Sequence, residues 1–115
     1  MKEKKSERTM TYTNSAAKIR TSLLKIPGVL EILDHLVEDF KSSISMGKRK
    51  NKNGIVFIEG DRDLVVEVAV ILAYGMQIRP IAMKMEEEIC RMMQMYRLDK
   101  TIRVRVIVES VREME

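Results

Sequence analysis

A chain of 115 residues with 33% charged and 45% hydrophobic side chains has the make-up of one globular domain, which excludes a disordered or fibrous polypeptide. The single cysteine, Cys90, excludes an intrachain disulfide, and with one histidine beside it there is no nitrogen and sulfur cage for zinc. The net charge of +4 is concentrated: residues 1–8 carry +2 and Lys48-Arg49-Lys50-Asn51-Lys52 carries +4, leaving the rest of the chain at −2. Such basic tracts attract anionic lipid, nucleic acid or an acidic protein, although their default state is simple solvation. With 10 Met, no Trp and 4% aromatics, the core is expected to be aliphatic and thioether.

Residues 1–12 are polar and without apolar periodicity, so a disordered basic tail is expected there, followed by one domain over 13–115. No apolar run follows the opening Lys and Glu residues, so no secretory signal is expected. The longest apolar run, Val68 to Tyr74, falls far short of the roughly 20 residues that cross a bilayer as a helix. Together with a lone helical thiol these features predict a cytoplasmic protein that meets a membrane only peripherally or through an anchor protein.

Thr13 or Asn14 is placed to cap a first helix, in which Ala16, Ile19, Leu23 and Ile26 recur at spacings of three and four. Pro27-Gly28 ends it. Val29 to Leu36 fits either a short strand or a helix; the preferred reading is a strand over 29–32 and a helix over about 34–45 carrying Leu36, Val37, Phe40 and Ile44. His35 then lies exposed on that helix, with Asp34 and Glu38 as local neighbours, and not as a catalytic base. Gly47 to Gly54 reads as a glycine-bounded basic loop.

Two strands follow, Ile55 to Glu59 and Leu64 to Ala73, joined by Gly60-Asp61-Arg62-Asp63, a connection short enough for an antiparallel hairpin. Gly75 is expected to turn the chain with positive φ, and Pro80 to sit in the first turn of the next helix. Ile78, Ile81, Ala82, Met85, Ile89, Met92, Met93 and Tyr96 form that helix's apolar stripe, with Arg97 and Lys100 at its negative end. Ile102, Val104, Val106 and Val108 then alternate along a final strand, so the helix connects two parallel strands. The fold class is α+β: a small two-layer sandwich with an N-terminal helix, an antiparallel hairpin and a β-α-β crossover into one mixed sheet of three or four strands.

The chemistry-bearing residues are sparse. Glu59, Asp61 and Asp63 crowd the hairpin turn without a calcium-loop pattern, and Glu86, Glu87 and Glu88 spread around a helix and do not pair as acid and base. One His offers little for nucleophilic catalysis, and the turn before Pro80 has too few glycines and N–H groups to cradle phosphate. Neither an enzyme nor a cofactor is expected. Arg103, Arg105, Ile107 and Glu109 share the outward face of the last strand, and Glu67 lies on the matching face of the long strand, opposite the arginines. That face, which also carries Val65 and Ile71, is too apolar to stand open, and the first helix or another subunit is expected to cover it. The candidate interaction residues are Lys48, Arg49, Lys50, Lys52, Arg103 and Arg105.

The order Pro27-Gly28-Val29, Gly54-Ile55-Val56, the run Val66 to Gly75, Ile78 with Pro80-Ile81-Ala82, and Val104-Arg105-Val106-Ile107-Val108-Glu109-Ser110-Val111 resembles the alkaline shock, or envelope stress response, proteins of Gram-positive bacteria over roughly residues 14–111. The resemblance implies a small cytoplasmic protein without catalytic residues, some of whose relatives are held at the membrane by an anchoring partner. It departs between Val29 and Gly54, where more glycine is expected, and in lacking a long charged C-terminal tail. The expected role is a non-catalytic interaction or scaffold protein of cell-envelope stress or homeostasis, acting by self-association or through a protein partner. The alternative is an RNA- or nucleoid-binding module using 48–52 and the arginine strand, although no aromatics interleave those arginines for base stacking.

Overall fold

The computed structural model describes residues 2–34, 48–52, 54–97 and 99–113. The backbone of α1 is helical over Lys2–Leu24, well before the expected cap at Thr13 or Asn14. No Gly or Pro interrupts residues 2–24, and Lys, Glu, Arg, Ala and Leu favour helix, so intrinsic propensity carries the helix back past the point where apolar periodicity begins. Ala16, Ile19 and Leu23 are fully buried, as their spacing predicts.

The short strand preferred for 29–32 is present as β1 (Val29–Ile32). The helix expected over about 34–45, with His35, falls on 35–47, outside the described residues. The stretch expected to be a basic loop is instead a strand, β2 (Lys48–Lys52), paired antiparallel with β3 (Ile55–Glu59). Its five polar residues carry no apolar alternation to announce a strand; pairing with the buried β3 supplies the backbone hydrogen bonds that composition does not suggest. The predicted hairpin joins β3 to β4 (Asp63–Ala73), and the predicted crossover runs from β4 through α2 (Ile78–Gln94) to β5 (Thr101–Arg112), which lies parallel to β4.

The result is a five-stranded mixed sheet, one strand or two larger than expected because β2 joins it. β4 is its spine. Along one side it pairs with β5 over its whole length; along the other it pairs with β3 through residues 64–68 and with β1 through 70–72. Val66, Val68, Val70 and Leu72 face both helices, meeting Ala16, Ile19 and Leu23 of α1 and Ile81, Met85, Ile89 and Met93 of α2. At the ends of the predicted stripe Ile78 and Tyr96 are instead exposed, the latter lying beyond the helix.

Because both helices share one face, α1 does not cover the other, contrary to one of the two expectations for it. There Val56, Ile58 and Ala69 are nevertheless buried, packed with Leu33, Val65 and Ile107. Gly75 has φ +93°, as predicted for the turn after β4. Gly28 has φ +100°, and a Cβ on it would stand 2.5 Å from Ile81 Cδ1, so glycine lets the α1–β1 turn settle against the first turn of α2.

Candidate interaction surfaces

The turns at Gly28 and Gly75 bring two connections together beside the start of α2, at one end of the helical layer. Ile26 and Pro27 leave α1, Met76 leaves β4, and Pro80, Ile81, Met83, Lys84 and Glu87 come from the first turns of α2. They line an open, mainly apolar groove of about 490 Å³. Around it large apolar side chains stay in water: Met83 is 52% exposed and Tyr74 65%, with Leu24, Met76 and Ile78 also exposed. Met76 and Met83 are unbranched and polarizable, which suits a surface that adapts to an apolar partner. Lys84 lines the groove, and Lys25 and Arg79 immediately precede two of its lining residues; none of the three makes an ion pair among the described residues. The groove offers an apolar floor with a cationic rim, broken by Glu87. Sequence reading missed it because it assembles from segments far apart in the chain; Met76 and Met83, apolar residues assigned to no buried stripe, were the available signal.

The predicted interaction residues are divided between two strands. Lys48, Arg49, Lys50 and Lys52 lie on β2, at one margin of the sheet, whereas Arg103 and Arg105 lie on β5 at the opposite margin. β3 and β4 separate them, a span of three strand spacings or roughly 14 Å. Arg103 is held by Asp63, 3.1 Å away, and Arg105 by Glu67, 3.3 Å away. The second contact is the cross-strand pair expected from alternation, since Glu67 and Arg105 are register partners. Glu67 is fully buried, so this pair is more than a surface contact.

A second polar cluster ties the opposite end of the molecule together. Arg97 donates to Glu59 Oε2 at 2.7 Å and to the Tyr12 hydroxyl at 2.8 Å, and the Tyr12 hydroxyl in turn donates to Glu59. Lys100 donates to the carbonyls of Gly60 and Asp61 at 2.6 and 2.9 Å, pinning the hairpin turn to the start of β5. The Arg97 guanidinium and then the Tyr12 hydroxyl hold the Glu59 carboxyl down to about 2. Burial, and then the bond to Glu59, pushes the Tyr12 phenol up to about 12. Tyr12 also stacks on Phe57 with ring centroids 4.7 Å apart. Every polar group here is occupied by its neighbours, which makes the cluster a clasp. Glu59 and Asp63, counted above among the hairpin's crowded carboxylates, are drawn to different cations, Arg97 and Arg103. Among the described residues no three metal-ligating side chains converge, and no helix is long and apolar enough to cross a membrane.

In comparison with known proteins, a family model described as the alkaline shock protein 23 family, with cell envelope-related function, matches residues 2–113. No curated protein and no solved structure matches.

Proposed function

The chain therefore belongs to this cell envelope-related family, and on that premise we propose that it is a non-catalytic adaptor, recruited to the envelope by a membrane-anchored protein that docks in the apolar groove. The observation carrying this reading is the groove itself: concave and methionine-lined, at a point where two connections meet the first turns of α2. Its dimensions suit one amphipathic segment, whose apolar residues fill the floor while acidic flanks meet Lys25, Lys84 and Arg79. Burying the exposed methionine and isoleucine surface drives association, and the free cations orient it.

The test uses membrane vesicles from the native host, either intact or stripped of protein by protease. The full chain is expected to sediment with intact vesicles and to stay in solution with stripped ones. Equal binding to both would place the affinity in lipid and contradict the protein-anchor reading; binding to neither would contradict recruitment altogether.

A further inference from the structure

We infer that β5 is the interface for a second copy of this chain, the two strands pairing antiparallel about a twofold axis through Val106 and extending each sheet into the other. The inference rests on the interaction-protein reading above but uses a surface away from the groove.

Three observations lead to it. β5 is 12 residues long and pairs with β4 alone among the described residues, leaving its other edge open. Thr101 N–H donates to Arg62 O at 2.9 Å, and alternation from Thr101 turns the backbone N–H and C=O groups of Ile102, Val104, Val106 and Val108 away from β4. The side chains of those four residues point to the core yet remain only partly buried, whereas their neighbours Val66, Val68 and Val70 on β4 are fully buried. Both the hydrogen-bonding row and the apolar row of this edge are thus unfinished.

The charges select the partner and the register. With Val106 on the axis, Val104 faces Val108 of the partner subunit, Arg105 faces the partner's Ile107, and Arg103 faces the partner's Glu109. Each off-axis pair occurs twice, so the interface gains two opposite-charge pairs and a continuous row of valines. The outward-pointing backbone groups of Val104, Val106 and Val108 fall in the hydrogen-bonded pairs, as an antiparallel ladder requires. Glu109 makes no ion pair among the described residues, and Arg105 keeps its bond to Glu67. Moving the axis to Arg105 would bring two arginines face to face. The pairing stops at Glu109, where the β4–β5 register breaks and a bulge bends the strand.

Sedimentation equilibrium on the purified full chain reads the outcome. The wild type is expected to dimerise. Arg103→Glu and Glu109→Arg should each weaken the dimer about tenfold, and the two combined should recover it, because the charges are then exchanged and not lost. In a Cys90→Ser background, mild oxidation should link Val106→Cys through an intermolecular disulfide, since residues on the axis approach within disulfide range. Val104→Cys should not link, its two copies lying roughly 13 Å apart. A wild-type monomer, a dimer indifferent to either charge reversal, no recovery in the combined variant, or linking at 104 but not at 106 would each overturn the inference. Met83→Glu in the groove should leave the dimer intact, so vesicle recruitment and self-pairing can fail separately.

Discussion

Glu67 is a carboxylate with no exposed surface, held by an arginine that is 45% exposed. Removing Arg105 leaves a buried negative charge short of its cation, so Arg105→Ala should cost about 1–3 kcal/mol, and Glu67→Gln less because it removes the charge as well. Denaturant midpoints for both and for the combined variant check this; strict additivity would show that the two side chains are not coupled. Ser15 is buried, and its hydroxyl has no hydrogen-bond partner among the described residues. Ser15→Ala should therefore be neutral or stabilise by up to about 1 kcal/mol. At Glu59 the folded carboxyl, at about 2, lies below its ordinary value of 4.5, so the folded state binds protons less readily than the unfolded one. Its contribution is complete above about pH 4.5 and is lost as pH falls toward 2. Tyr12 works in the opposite sense, its contribution fading as pH rises from 10 to about 12. Glu59→Gln should flatten the acid limb of a stability–pH profile and Tyr12→Phe the alkaline one; unchanged limbs would contradict the clasp. The Glu67–Arg105 pair was legible in the sequence because strand alternation projects both residues onto one face. The Tyr12–Glu59–Arg97 clasp was not, since its members lie 47 and 38 positions apart and no local periodicity links them.

At the scale of elements, β4, α2 and β5 could be read directly, because apolar residues alternate from Leu64 to Leu72 and from Ile102 to Val108 and recur at helical spacing between them. β2 could not, because Lys-Arg-Lys-Asn-Lys has the composition of a loop and becomes a strand only through its pairing with β3. The start of α1 was missed for a related reason: its first turns have helical propensity without an apolar face. The long helix between parallel strands depends on its buried methionines. Met85→Ala, at a site with no exposure, should cost about 2–5 kcal/mol through lost transfer energy and the cavity left behind. Gly75→Ala should cost about 1–2 kcal/mol from backbone strain alone, since φ is +93° and nothing lies within 4 Å of the added methyl. Thermal unfolding of the two variants separates packing from strain; a larger loss at Gly75 than at Met85 would reverse this account of the fold's weak points.

For the whole molecule, both helices pack on one sheet face and leave the turns beneath them to define the groove, while β5 bounds the sheet on its far side. The two basic tracts that suggested a nucleic-acid surface lie on opposite margins of that sheet, a separation that only the strand order reveals. The apolar groove emerges at the same level, from the convergence of α1, β4 and α2, and no stretch of sequence contains it. Recruitment through this groove is the claim from which the functional account follows. Its most direct measurement is the share of protein recovered in the membrane fraction of native-host cells, for the wild type and for Met76→Glu combined with Met83→Glu. Both positions are exposed, so the variant is expected to keep the wild-type unfolding temperature. The account predicts that this folded variant leaves the membrane fraction, whereas retention equal to wild type would contradict it.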